Sequence, residues 1–302
     1  EQDIGESIIQ LVSADQVTGV STGGLKLDIY DADGNLVPQS GATITNDIEQ
    51  SGKKVANGKY GYGLQSFKDV NSTAADGLYV SYKLTEIELL TKGDDALILH
   101  AVAGKTGNSV DLAAKITGSG DLRINTDSDH ISLPNNTNNF TGTTIVTKGD
   151  LYLENDNVLG QLTEHSESLN IGTGTTANIF GKSNNLDGTS QIVGALNIVD
   201  KGELNLGAKG QLTVSGKSDS LINGSLKGLV DAKLIFDNAV GIVNSVTADL
   251  QSDINLVGTS TVQMNNSQAL GNIGTIFITK DSELKVANAE DKLGEFTKTL
   301  AG

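Results

Sequence analysis

One short phrase recurs down this chain and limits what it can fold into. Within Phe140–Gly160, two alternating runs, Thr144–Thr147 and Leu151–Leu153, flank a Lys148-Gly149-Asp150 turn. An Asn/Asp turn follows and is closed by Leu159-Gly160. Alternation over a few residues, punctuated by Gly or Asn, is the signal of short half-buried strands, and no helical period fits it. The phrase returns as Lys201–Leu206 after the run Leu196–Val199, and as Lys280–Val286 after Ile276–Thr279. Looser copies stand at Gly120–Ile124, Gly210–Val214 and Lys233–Phe236. The leading inward residues are then Leu97, Leu122, Leu151, Ile179, Leu204, Leu234, Leu256 and Leu284, spaced 22 to 30 residues apart. A drifting period of this size marks stacked repeats. With two or three strands per unit and no helix, the expected object is an all-β solenoid whose coils bury their inward side chains against one another.

These residues resemble the passenger-associated repeat of bacterial autotransporters. The likeness rests on Phe140-Thr-Gly-Thr-Thr-Ile-Val146, Gly149-Asp-Leu-Tyr-Leu153 and Val158-Leu-Gly160, and is nearest to AIDA-type adhesin passengers of Gram-negative bacteria. Gly77–Leu89 is similar to a segment that often precedes such repeats, and Phe296–Gly302 looks like the opening of one more copy. The resemblance covers roughly residues 60 to 302. It implies a right-handed parallel β-helix, the hand that β-crossovers also prefer. It further implies a place at the bacterial cell surface or outside the cell, linked to an outer-membrane β-barrel. The implied function is adhesion, aggregation and biofilm formation, through self-association with copies on neighbouring cells or through host matrix protein or glycan. Two other classes stay open: a stalk that presents a distal binding region, and a carbohydrate-active β-helix enzyme.

Composition agrees with a ladder of short strands and tight turns. Thirty-six glycines and many Asn, Thr, Ser and Asp supply the turns, while aromatics make up only 4% and Trp is absent. Disorder is the competing reading for a polar, charged chain, but 37% hydrophobic residues in regular alternation argue against it. Thirty-seven acids against 21 bases give a formal charge of −16, which repels nucleic acid and anionic membranes. Without cysteine, neither disulfides nor thiolate metal sites can form. Glu1-Gln2-Asp3 does not open an export signal, and no run of ~18 apolar residues is present to span a membrane. The expectation is an excised piece of a longer protein, not itself membrane-inserted.

Residues 1–95 read as a β-hairpin-rich segment that interrupts or caps the solenoid, and residues 96–302 as the coils. Five of the six tyrosines fall in the first part. Leu25–Tyr30 alternates, turns at Asp31–Asn35 and resumes at Leu36-Val37, a hairpin signal. Lys59–Leu64 and Leu78–Tyr82 form a second expected strand pair, their tyrosines packing across strands. Among the coils, Asp127–Asn139, Glu154–Glu167 and Ser183–Thr189 are expected to protrude as loops, Asn265–Asn272 forms a tighter turn, and Ala287–Leu293 holds at most one helical turn.

No catalytic, cofactor or metal residue emerges. Asp31–Asn35 resembles the start of a calcium loop, but Ala42 stands where a bidentate Glu belongs, so an Asx/Gly turn explains it better. His100, His130 and His165 lie in separate repeats without metal spacing and read as surface or edge residues. Asp121, Asp150, Glu203 and Glu283 occupy equivalent turn positions and could align, as carboxylates do in β-helix hydrolases, though a solvated edge is the simpler account. Arg123 is the one arginine, so a clamp of arginines is ruled out. The candidate contact face is a set of corner residues: Asn135, Asn136, Asn138, Asn139, Asn155, Asp156, Asn157, Asn184, Asn185, Asn265 and Asn266. Asn suits left-handed corners; in rows it could also pair with a second molecule through many weak hydrogen bonds.

Overall fold

A side chain that points into a coil must meet an apolar partner in the next coil, and this requirement organises the architecture. The computed structural model describes residues 7–13, 29–30, 36–37, 43–67, 77–101, 112–180, 188–229, 231–244, 250–265, 269–271, 274–286 and 299–302. Among them the chain is all-β, with a single 3-10 turn at Gly93–Asp95. It divides into two compact units, Glu1–Ile48 with Asn57–Ile87, and Glu49–Ala56 with Glu88–Gly302.

The smaller unit is antiparallel. Ser7–Ser13 pairs with Gly77–Leu89, which lies beside Lys53–Phe67, and Thr43–Gln50 completes that order. The Thr43–Gln50 and Lys53–Phe67 strands are joined by Ser51-Gly52, with φ of 53° and 75°. Two positive φ values are what a two-residue type I′ hairpin turn demands. Ile29–Tyr30 pairs with Leu36–Val37 as the alternation led us to expect; the Asp31–Asn35 turn between them lies outside the described residues. Tyr60 is buried, and the Thr85 hydroxyl donates to the Lys59 carbonyl at 2.9 Å.

The larger unit is a parallel β-solenoid built from three series of stacked strands. The first series runs Leu97–Leu99, 122–124, 144–146, Leu169–Ile171, Leu196–Ile198, Ser220–Ile222, Val240–Val243, Thr261–Met264 and Glu283–Val286. The second stacks 131–133, 151–153, Thr176–Ile179, Glu203–Leu206 and Ser225–Gly228. The third stacks Ser190–Val193, Gln211–Val214, Lys233–Asp237, Asp253–Val257, Thr275–Ile278 and Thr299–Ala301. One inward column of the first series is aliphatic and buried over eight levels, Leu99, Ile124, Val146, Ile171, Ile198, Ile222, Val243 and Met264, and ends at the exposed Val286 of the ninth. Each such side chain is worth about 1.5–3 kcal/mol of burial. The exposed ion pairs, such as Lys53–Asp95 at 2.7 Å, contribute little beside that.

The structure corrects the register read from the repeats. Leu97, Leu122 and Leu284 lie in the first series, Leu151, Ile179 and Leu204 in the second, and Leu234 and Leu256 in the third. The phrase match jumped between sides because all three carry the same short alternation after a glycine corner. The level-to-level step in the first series drifts from 27 residues, between Leu169 and Leu196, to 21, between Asn223, Asn244 and Asn265. Asp127–Asn139 is not a loop throughout, since Leu122–Leu133 is one strand. It pairs with Thr144–Leu153 along both halves, its register slipping at the corner where Gly149 takes φ 73°.

One edge of the first series is closed by a side chain. Gln50 accepts from the Ile98 N–H at 2.8 Å and donates to the Ile98 carbonyl at 2.7 Å. Its amide thus supplies the two backbone bonds that a further strand would make. Gln50→Ala is expected to destabilise this edge by about 1–2 kcal/mol. Hydrogen exchange checks it: the Ile98 amide should lose protection while Leu212, deep in the third series, keeps it.

Candidate interaction surfaces

The corner residues selected from sequence do different work in the fold. Asn138 is fully buried: its Oδ1 accepts from the Ile116 N–H and its Nδ2 donates to the Val158 carbonyl, both at 2.8 Å. One side chain therefore bridges the coil before and the coil after. Asn135 donates to the Ala113 carbonyl at 2.8 Å and Asn155 to the Pro134 carbonyl at 2.6 Å. The Asp156 carboxylate accepts from the Ser190 N–H at 2.8 Å. Asn157, at φ 58°, donates its own N–H to the Ser190 carbonyl. Asn139 donates to Glu164 Oε2 at 3.1 Å, while Asn136 stands exposed with its carbonyl accepting from Gln161. Asn184, Asn185 and Asn266 lie outside the described residues. Most of these amides therefore tie coil to coil; Asn138 does not reach solvent at all.

The turn carboxylates are placed for the same purpose. Asp121 is buried and accepts from the Gly93 and Thr143 N–H groups, each at 2.8 Å. Asp150 accepts from the Thr176 N–H at 3.1 Å, and burial pushes its carboxyl above the usual range. Glu203 lies two levels from Asp150 in the same series and pairs with Lys227 at 2.7 Å. Glu283 is in the first series, so the four acids do not form one row. A shallow open cleft of about 380 Å³ is lined by Glu88, Leu89, Leu90, Gly118, Ser119, Asn139, Thr141 and Glu164. It joins carboxylates and hydroxyls without a histidine or a cation. Among the described residues, no cluster of three or more potential ligands is placed to hold a metal.

His165 departs from its expected place at the surface. It is 4% exposed and sits at the base of the short hairpin 160–165. Its Nδ1 faces the Gln161 carbonyl at 3.2 Å, so Nδ1 carries the proton and Nε2 accepts from the Ser215 hydroxyl at 2.8 Å. Lys217 donates to the His165 carbonyl at 3.2 Å. Gly194 lies between these levels, and a Cβ there would come within 2.7 Å of the Lys217 stem and 2.2 Å of the Glu167 carbonyl. The histidine therefore staples a hairpin across two coils. Burial, then the Lys217 charge, holds its pKa below the ordinary 6.5.

The outer side of the first series carries a feature the sequence reading caught only at one residue. Gln263 donates to Asn265 at 2.9 Å, Asn265 donates to Asn244, and Asn244 donates to Asn223 at 2.7 Å. Asn197 and Asn170 make a further rung at 2.9 Å. Leu221 and Val199, 43% and 44% exposed, lie beside these amides. Asn223 and Asn244 could have been found by stepping back from Asn265 in units of 21 residues, which the mixed register hid.

With this geometry in place, likenesses to known proteins can be set beside it. The chain is 39% identical over 198 residues, 65% of its length, to the uncharacterized protein YuaQ of Escherichia coli (strain K12). It is 34% identical over 187 residues, 62% of its length, to the uncharacterized lipoprotein YdeK of the same strain. It spans 13% of the length of each of these relatives. No family model and no solved structure matches it. No helix among the described residues is long and apolar enough to cross a membrane.

Two predictions come from these contacts. Asn138→Ala strands a buried N–H and a buried carbonyl, and chemical denaturation should show a loss of about 2 kcal/mol or more, against less than about 0.5 kcal/mol for Asn136→Ala. The second concerns pH. Because folded His165 resists a proton that the unfolded chain accepts, its contribution is complete above pH 6.5 and is lost as the pH falls below that value. Urea midpoints at pH 7.5 and 5.5 should therefore drop more for the native chain than for His165→Gln.

Proposed function

We propose that this chain is a segment of an autotransporter-type adhesive passenger, acting at the cell surface by contact and not by catalysis. The observation that carries the reading is the outer side of the first series. It repeats uncharged amide and aliphatic rungs from Asn170 to Gln263 on a chain whose formal charge is −16. A rigid, repetitive and neutral strip is suited to many weak, simultaneous bonds, and multivalent display turns such bonds into firm attachment. Its partner is a second copy on a neighbouring cell, or a host matrix protein or glycan, leading to aggregation and biofilm. The net charge opposes nucleic acid as a partner. Likeness to a lipoprotein supports a location in the cell envelope.

A stalk is the second reading, and the corner residues favour it. Asn135, Asn138, Asn155 and Asp156 hold neighbouring coils together, which stiffens the body and leaves fewer polar groups for a partner.

Sedimentation velocity over a wide concentration range, at low and high salt, separates the two. Homotypic adhesion predicts a reversible monomer–dimer shift that salt strengthens, because screening relieves the repulsion between like-charged chains. A strict monomer up to about millimolar concentration, where any contact weaker than about 4 kcal/mol escapes detection, removes self-association and leaves host ligand or stalk.

A further inference from the structure

We propose that Val199, Leu221 and Asn223 form a binding site for a neutral, hydroxyl-rich glycan on the outer side of the first series. The proposal rests on the adhesive reading above and names its ligand class. Three amide-to-amide bonds, Gln263 to Asn265 to Asn244 to Asn223, all run in one direction. Each bond polarises the next, so the Nδ2 donor of Asn223 ends a cooperative chain. The neighbour that would receive it is Val199. Asn223 N–H donates to the Ile198 carbonyl as Asn244 N–H donates to that of Ile222, so Val199 holds the rung position ahead of Asn223. A valine has no acceptor, and the amide chain therefore stops there.

The surroundings select the ligand. Leu221 and Val199 are each more than two-fifths exposed on this strip and give a small aliphatic shelf. A sugar ring offers the complement, hydroxyl acceptors for the amide and C–H surface for the shelf. The rungs themselves bear no charge, whereas the whole chain carries −16. An anionic polymer is repelled by that field, and a cationic one would be drawn to the acids elsewhere and not to this strip. Levels about 4.8 Å apart let successive rungs meet successive positions along an extended chain.

The test uses the isotope-labelled chain and cello-oligosaccharides, chito-oligosaccharides and mannan as neutral probes, with polygalacturonate as the anionic control. At least one neutral probe should shift the Asn223 side-chain amide and the Val199 and Leu221 methyl signals, and the anionic control should not. Asn223→Ala should weaken that binding about tenfold. Val199→Asn supplies the missing acceptor, extends the amide chain by one rung and should weaken binding by a similar factor without unfolding the coil. The idea is overturned if no neutral probe moves these signals at about 10 mM, or if binding persists unchanged in both variants. The same variants are followed by sedimentation velocity. A change in self-association without any probe binding makes the strip a contact between copies; it overturns the glycan site and leaves the adhesive reading standing.

Discussion

Register between coils is the constraint on which the rest of this structure depends. Each strand has neighbours only above and below, so every inward side chain and every backbone N–H and C=O must find its partner one level away. The column from Leu99 to Met264 meets the first demand, and the parallel ladders meet the second. Where a strand turns a corner, the ladder breaks, and polar side chains take over. Asp121 and Asn138 do so with two backbone partners each. A fold with few aromatic residues can be held this way because the burden is spread evenly over levels and is not concentrated in one centre.

Much of this was legible in the sequence. Alternation with glycine punctuation announced short strands, absence of a helical period announced a solenoid, and Ile29–Tyr30 with Leu36–Val37 paired as the hairpin signal required. What escaped was the assignment of strands to sides. A two-residue period is identical on every side of a coil, so Leu151 and Leu234 look equivalent although they stack in different series. Nor does a sequence show how far a polar side chain reaches. Asn138 and Asn136 are alike on paper, yet one is enclosed between levels and the other is exposed. His165 was misread for the same reason, because its partner Ser215 is fifty residues away.

The amide side chain serves two ends here, and position decides which. At the corner held by Asn138 its donor and acceptor are both consumed by backbone, so it acts as mortar. On the flat outer side it bonds to its own kind, as Asn244 does to Asn223. The same residue type is thus structural where the chain bends and available where it runs straight. Counting asparagines in a repeat therefore says little until the level and side of each are known.

The Gln50 closure gives the stack a direction. Coils in such arrays are held only by nearest neighbours, so they fray from whichever end is least supported. A side chain that occupies both groups of Ile98 raises the cost of opening at that end. Under a pulling force, or during stepwise winding of the coils, loss and gain of levels should then be asymmetric. The level at Leu97–Leu99 is thus held from two directions, by the ladder to Leu122–Ile124 and by a side chain that takes the place of a strand.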